Sequence, residues 1–424
     1  MKSLFDRLLL KRNNLHILSE KLKKLTYKTP VSKIFEAINS YSNFSEIRYV
    51  GGCIRKIIND EKVDDIDLAT NLEPKEVSDA LKKNNINFYE TGVKHGTITA
   101  LIDDFKFEIT SLREDILTDG RHAQVKFSKD WKKDASRRDF TINSIYSDAE
   151  GNLFDPFNGK KDLEKGVINF IGNPNERIQE DYLRILRYIR FFLNYSKQKH
   201  DPEIIRSLKR NLDGISKLSK ERLLDELKKI LNKKTLINLS KDKLILEIFK
   251  SIFPQLKYIN EFSKNNSYVL NLLDKVDFIF LISLLTVDET DNVDYFLYKY
   301  NLSKKDQKRI KDIDNFYKNK LTSKDFIEKK LNKIFYYKGR EAILDILNYK
   351  IFKSKKIDND MVRLIKFYKD KKIPEMPVKA DLLMSKYNIS EGKLLGKKLK
   401  IIEEEWVNNN FRISDQQVEM IINN

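Results

Sequence analysis

Cysteine is nearly absent from this sequence, since Cys53 is the single one among 424 residues. One thiol excludes a disulfide framework and fits a reducing compartment, so we expect a cytoplasmic protein. The 4 histidines do not cluster with Cys53, which argues against a Cys/His zinc site. No apolar run reaches the length of a bilayer span, so no membrane association is predicted.

Acidic residues are in deficit as well. The chain has 63 Asp and Glu against 81 Lys and Arg, which gives a net charge of +18. That excess favours a polyanionic partner, nucleic acid before a membrane surface. Hydrophobic residues make up 41% of the chain, enough for a sizeable core, and the length fits two to four domains.

The N-terminal sequence, MKSLFDRLLLKRNNLHILSEKLKKL, is basic and amphipathic. A transit peptide would have the same character. Asp6 and Glu20 favour an ordinary surface helix instead, since transit peptides are poor in acidic residues.

The stretch from Tyr49 to Thr70, YVGGCIRKIINDEKVDDIDLAT, predicts a strand, a turn, a short helix and a second strand. Gly51 and Gly52 allow the backbone to bend tightly and to approach a phosphate without a Cβ in the way. Arg55 follows at the start of an apolar helical turn. The segment therefore has the form of a phosphate-binding turn between two strands.

Two carboxylates, Asp65 and Asp67, begin the second strand. Because side chains alternate along a strand, these two share one face while Ile66 and Leu68 face the core. Adjacent carboxylates repel unless a cation lies between them, and hard oxygen ligands suit Mg²⁺ shared with substrate phosphates. The pattern predicts metal-assisted phosphoryl or nucleotidyl transfer. A lone Asp-x-Asp is more often a solvated strand end, so the prediction depends on the preceding turn.

A third carboxylate is a candidate for the same site. In the predicted strand from Phe105 to Leu112, Glu108 shares a face with Lys106 and Thr110, away from the apolar residues. Glu108 is either a catalytic carboxylate beside the Asp pair or a surface residue, and the sequence favours neither.

Residues 177–195, RIQEDYLRILRYIRFFLNY, predict one amphipathic helix. Its apolar face consists of Ile185, Leu186, Ile189 and Leu193. A polar series recurs at every third position, namely Asp181, Arg184, Arg187 and Arg190. This series is either a solvated ion-pair face or a binding face.

The motifs occur in the order found in a known family. GGCIR (51–55) and DIDLAT (65–70) resemble the nucleotidyltransferase signature of the class II tRNA nucleotidyltransferase and bacterial poly(A) polymerase family. RRDFTIN (137–143) and EDYLR (180–184) are similar to later elements of that family. One departure is Lys56, where the family usually has an acidic residue. That residue is not a metal ligand in the family pattern, so the chemistry is not affected.

The resemblance covers residues 47–231 and, more weakly, 374–406. It implies an α+β fold, in which a nucleotidyltransferase (polymerase-β-like) head with a mixed sheet precedes an extended all-helical neck, body and tail. The expected domains are an N-terminal helix (1–29), the head (30–165), a neck with the nucleotide-recognition helix (166–260), and a tRNA-binding body and tail (261–424). Residues 113–137 are expected to form a mobile polar loop, which in the family is needed for adding the final A.

The function implied is template-independent addition of CCA to the 3′ end of tRNA from CTP and ATP, with two Mg²⁺ ions held by Asp65 and Asp67. The expected nucleotide-binding residues are Gly51, Gly52, Arg55, Arg138, Asp139, Asn143, Asp181, Arg184, Arg187 and Arg190. Poly(A) synthesis, partial addition of CC or A, and an inactive RNA-binding protein remain alternatives. The oligomeric state is not predicted.

Individual roles follow from hydrogen-bonding capacity. Arg138 can pair with a triphosphate, and Asp139, supported by Asn143, can accept a hydrogen bond from a ribose hydroxyl. Asp181 and Arg184 offer an acceptor and a donor to one base. Arg187 and Arg190 are expected to act on phosphates or on helix position. In the next helix, Arg222 is expected to brace the recognition helix.

Overall fold

The computed structural model describes residues 18–118, 123–264, 272–318, 326–354 and 358–423. It divides into two units, Met1–Glu226 and Leu227–Asn424. Over the described ranges, no helix is long and apolar enough to cross a membrane.

The first unit contains the strands. They are β1 (Ile47–Val50), β2 (Asp67–Thr70), β3 (Asn87–Gly92), β4 (Thr97–Ile102), β5 (Phe105–Ser111), β6 (Arg113–Thr118), β7 (Ala123–Phe127), β8 (Tyr146–Ser147) and β9 (Leu153–Phe154). Seven of them form one sheet in the order β3-β4-β5-β2-β1-β8-β9, and β6 pairs with β7 separately. Since β2 and β5 are parallel and β1 is antiparallel to β2, the predicted mixed sheet is confirmed.

Helices of the first unit lie between and after these strands. They are α1 (Val31–Asn39), α2 (Gly52–Ile58), α3 (Pro74–Lys83), α4 (Trp131–Ser136), α5 (Gly159–Lys165), α6 (Pro174–Glu180), α7 (Leu183–Tyr195), α8 (Pro202–Arg210) and α9 (Lys220–Ile230), whose C-terminal end extends into the second unit.

The described residues of the second unit form helices joined by turns and loops, with no strand among them, as the resemblance implies. Its helices are α10 (Lys233–Lys241), α11 (Lys243–Ile252), α12 (Phe278–Thr286), α13 (Asn292–Lys299), α14 (Lys304–Tyr317), α15 (Glu328–Lys353), α16 (Asn359–Asp370), α17 (Ala380–Tyr387), α18 (Lys393–Asn408) and α19 (Asp415–Asn423). Gly339, at φ 88°, interrupts the helical backbone inside α15.

The main core of the head lies on one face of the sheet. Leu68 and Ile109 pack there with Tyr49, so the strand period does turn Asp67 to the opposite face. Helical residues 18–28 belong to the same core through Leu18 and Leu22. This segment is therefore packed into the head, whereas residues 1–17 lie outside the described residues.

The polar stretch at 113–137, expected to be a loop, is ordered into a hairpin of β6 and β7 followed by α4. The helix begins because the carboxylate of Asp130 accepts from the backbone N–H of Lys132, at 2.8 Å. The expectation of a loop is wrong for these elements, because a polar composition does not reveal strand pairing or helix capping. Residues 119–122, which connect β6 and β7 in the sequence, lie outside the described residues.

Helix α5 fixes the turn that carries part of the RRDFTIN motif. Gly159, its first residue, is so close to this turn that an added Cβ would lie 2.0 Å from the carbonyl oxygen of Thr141. The hydroxyl of Thr141 donates to the Asp162 carboxylate at 2.7 Å, which binds the turn to the helix. Residues 141–143 are thus positioned by a contact that only glycine permits.

We therefore expect Gly159→Ala to destabilise the first unit by about 1–3 kcal/mol, because a methyl group forced against backbone must displace it. Gly396→Ala is the control, since a Cβ there meets nothing within 4 Å inside α18. It should leave stability unchanged or raise it by up to about 1 kcal/mol. Calorimetric unfolding of both variants tests this, and equal stability of Gly159→Ala and wild type would contradict it.

Candidate active site

The turn after β1 brings the start of α2 to the face of the sheet that carries Asp67. Gly51 lies at φ 63°, and its N–H donates to the Ile145 carbonyl at 3.1 Å. A Cβ on Gly51 would lie 3.6 Å from Nη1 of Arg138, and one on Gly52 would lie 3.6 Å from Oδ2 of Asp67. The two glycines therefore occupy the space between a cation and a carboxylate.

Three carboxylates converge at this point. Asp67 begins β2 and pairs in register with Glu108 of the parallel strand β5, while Asp65 lies exposed just before the strand. Burial raises the pKa of Asp67, and Asp65 raises it further, against the lowering effects of Arg138 and Arg55. Burial also raises the pKa of Glu108, with Asp67 and Asp65 adding to it. The carboxylates repel one another, so a bound cation would stabilise their charged forms.

The donor set fits a hard cation. Carboxylate oxygens are the ligands that Mg²⁺ prefers, and Mg²⁺ normally keeps positions for substrate phosphates and water. Within the described ranges no three His, Cys, Asp or Glu side chains already have the spacing of a closed metal cage. A site made of an Asp pair would therefore be completed by substrate oxygens.

Arg138 is held by a buried anion that the sequence analysis missed. Asp134 is 1% exposed and accepts hydrogen bonds from Arg138 at 3.2 Å, Arg137 at 2.8 Å and the Tyr146 hydroxyl at 2.7 Å. Burial alone would raise the pKa of Asp134, but the two arginines outweigh it and lower the pKa to about 2. The spacing of Asp134, three and four residues before the arginines on a helix, is a signal that could have found it.

Asp139 is the centre of a second buried network. Its carboxylate accepts from the Phe140 N–H at 2.9 Å, the Asn143 amide at 2.8 Å and Nε of Arg187 at 2.6 Å. Asn143 in turn accepts from Arg55. Burial alone would raise the pKa of Asp139. The positive charge of Arg187, followed by the hydrogen bonds, outweighs burial and holds this pKa well below its usual range. Three of about four acceptor positions are in use, so one is left for a ribose hydroxyl.

The predicted single helix at 177–195 is wrong. Helix α6 ends at Glu180 and α7 begins at Leu183, with Asp181 in an extended conformation at φ −154° between them. The break forms because the Asp181 carboxylate accepts from the Leu183 N–H, at 3.1 Å, and competes with the helical hydrogen bonds. Asp181 therefore precedes the helix that carries the three arginines.

Both residues expected to read the base are held by partners. Arg222 donates to Asp181 at 2.7 Å, so it holds the segment that precedes α7, while a brace on that helix itself stays a prediction. Arg184 donates to the Glu180 carboxylate at 2.6 Å and to the Arg177 carbonyl at 2.7 Å. The structure thus fixes the two side chains by separate contacts.

The remaining arginines surround an aromatic ring. Arg187 pairs with Asp139, and Arg190 pairs with the buried Glu226. The Phe191 ring is contacted by three guanidinium groups, at 4.3 Å for Arg190, 4.7 Å for Arg55 and 5.5 Å for Arg187. Glu226 and Phe191 were missed by the sequence analysis, because neither has a local spacing that points to the site.

Comparisons with known proteins agree with this geometry. Residues 47–169 match the family model described as Poly A polymerase head domain. CCA tRNA nucleotidyltransferase 1, mitochondrial, from Mus musculus is 34% identical over 386 residues, which are 88% of this chain and 85% of the mouse protein.

Solved structures have the same fold. A Bacillus stearothermophilus CCA-adding enzyme in complex with CTP aligns with a TM-score of 0.70 at 19% identity, over 93% of this chain and 97% of that chain. A Thermotoga maritima CCA-adding enzyme complexed with tRNA aligns with a TM-score of 0.58 at 19% identity, over 92% of this chain and 94% of that one.

The predicted α+β head followed by helices is confirmed by these structures, which show the fold. The mouse protein shows the family as well, because its sequence similarity extends over most of both chains. The chain belongs to the CCA-adding tRNA nucleotidyltransferase family.

Proposed function

We propose that this chain adds C, C and A to the 3′ end of tRNA, using CTP and ATP, releasing pyrophosphate and needing no nucleic-acid template. The name of the mouse relative and the CTP and tRNA complexes of the structural neighbours support this. The observation that carries it is the convergence of Asp67, the Gly51–Gly52 turn and Arg138 on one face of the sheet. The predicted cytoplasmic location stays a prediction, and the mouse relative is named as mitochondrial.

The nucleotidyltransferase fold implies a divalent cation in general. Our proposal is that the cation is Mg²⁺ and that Asp65 and Asp67 would hold two such ions, with Glu108 beside them. When bound, Mg²⁺ would lower the pKa of the RNA 3′-hydroxyl and neutralise negative charge on the triphosphate.

The chain's own residues supply the rest of the transfer. The 3′-hydroxyl releases its proton to water as its oxygen forms a bond to the α-phosphorus and the bond to the pyrophosphate oxygen breaks, so no covalent enzyme intermediate is needed. Arg138, fixed by Asp134 and Tyr146, is pre-positioned to pair with phosphate oxygens at no further ordering cost. Arg55 adds a second buried positive charge beside Asp67.

Base choice follows from hydrogen-bond complementarity. Cytosine and adenine both present an amine donor beside a ring-nitrogen acceptor, whereas uracil and guanine present a carbonyl beside a ring N–H. Asp181 accepts and Arg184 donates, a pair that complements C and A. Arg222 and Glu180 are the positioning residues that hold this pair.

The decisive experiment offers purified protein a tRNA that lacks its 3′ end, with each nucleotide singly and then with CTP and ATP together, and sequences the products. We expect CC from CTP alone and CCA from both. A run of A residues would instead indicate a poly(A) polymerase, and only CC or only A would indicate a partial enzyme.

Asp65→Asn and Asp67→Asn should each lower kcat by at least about 100-fold, because each removes a metal-binding charge without changing side-chain volume. Affinity for tRNA should be nearly unchanged, as measured by equilibrium binding. Asp64→Asn is the control, since this exposed neighbour pairs with Lys56 and Lys62 instead. Substantial turnover by either variant in Mg²⁺ would reject the metal assignment.

Asp181→Ala and Arg184→Ala should weaken the preference for CTP and ATP over UTP and GTP by roughly tenfold, because each mismatched buried polar group costs about 1–3 kcal/mol. Arg222→Ala should act in the same direction through Asp181. The exposed Arg206→Ala in α8 serves as the control. The measurement is kcat/KM for all four nucleotides, and an unchanged preference in both Asp181→Ala and Arg184→Ala would show that these residues do not read the base.

A further inference from the structure

The face of the sheet that carries the catalytic carboxylates continues past them to the sheet edge. Paired positions in β2, β5, β4 and β3 place Asp67, Glu108, Thr99 and Tyr89 in one cross-strand row. Residues paired across neighbouring strands project from the same face. Phe88, the neighbour of Tyr89, packs against the core on the other face, as the strand period requires.

Tyr89 ends this row as an exposed aromatic ring. It is 57% accessible, on a strand at the edge of the sheet. Lys106, two residues before Glu108 on β5, is exposed on the same face. An aromatic ring and a positive charge on an otherwise polar face are the two groups that bind single-stranded nucleic acid, by stacking on bases and by pairing with phosphates.

The distance from the carboxylates fits the end of an RNA strand. Three steps of about 4.8 Å between strands place Tyr89 about 14 Å along the sheet from Asp67. Stacked nucleotides rise by about 3.4 Å each, so roughly four of them cover this distance. The unpaired 3′ end of an RNA can present its bases to aromatic side chains, because those bases are free to leave the stack.

We propose that Tyr89 is a stacking platform for one of the last bases of the tRNA 3′ end, and that it positions the terminal hydroxyl at Asp65 and Asp67. This inference rests on the proposed function, because it needs a primer whose 3′-hydroxyl lies at those carboxylates. The partner is the primer strand and not the incoming nucleotide, since Tyr89 lies three strands away from Asp67.

Steady-state kinetics tests the proposal. Tyr89→Ala should raise KM for tRNA by roughly tenfold, the effect of removing one base–aromatic stack. With saturating tRNA, KM for CTP should stay at the wild-type value. Tyr89→Phe and Tyr89→Trp should restore KM for tRNA because they keep the ring. A minihelix that carries only the acceptor stem should show the same ratios, since the contact is with the 3′ end.

Phe44→Ala is the matched control. Phe44 is 87% exposed and precedes β1, at the end of that strand away from Gly51. An unchanged KM for tRNA in Tyr89→Ala, or an equal rise in Phe44→Ala, would overturn the proposal. A rise in KM for CTP in place of tRNA would assign Tyr89 to the nucleotide and would also overturn it.

A binding measurement separates this inference from the proposed function. A tRNA with 2-aminopurine near its 3′ end should lose fluorescence on binding the wild type and Tyr89→Phe, and lose less on binding Tyr89→Ala. The measurement needs no turnover. Failure of the wild type to add C and A would reject the proposed function. Equal quenching of 2-aminopurine by wild type and Tyr89→Ala would reject the stacking platform.

Discussion

One buried carboxylate, Asp139, holds the three motif segments of the site together. It is 8% exposed and accepts from Asn143, which also contacts Arg55 of the first motif, and from Arg187 of the helix after the head. Burying a charge is favourable only when its partners satisfy it, and losing one partner of such a pair costs about 3–5 kcal/mol. The segment after the Gly51–Gly52 turn and helix α7 are therefore joined through a single acceptor.

The charge balance of the site differs from that of the whole chain. Although the chain carries +18 overall, Arg137, Arg138, Arg184 and Arg190 all pair with carboxylates. Arg55 is different, because the ion pairs among the described residues do not include it, and its guanidinium contacts Asn143 and the Phe191 ring. A buried positive charge of this kind, next to Asp67, suits a triphosphate that brings its own negative charge.

Basic residues in the second unit show that composition does not identify a binding surface. Lys371 lies in the stretch Lys366 to Lys372, whose basic character suits an RNA backbone. In the structure its ammonium donates to Asn332 at 2.8 Å and lies 4.6 Å from the Phe367 ring, so it contributes to packing. Burial lowers its pKa, which is the consequence of an ammonium group packed among aromatic rings.

The sequence by itself determined the Gly51–Gly52 turn and the orientation of Asp67, because turn-forming glycines and the strand period are local properties, and the period places Asp67 opposite to Leu68 on any strand. It also determined the helical character of the second unit. Only the tertiary structure decided the partners. The register of β2 with β5 sets Glu108 beside Asp67, and the pairs of Asp181 with Arg222 and of Arg190 with Glu226 join positions far apart in the chain. Such contacts depend on how helices and strands pack against one another, and this packing cannot be predicted from the spacing of residues within a short segment.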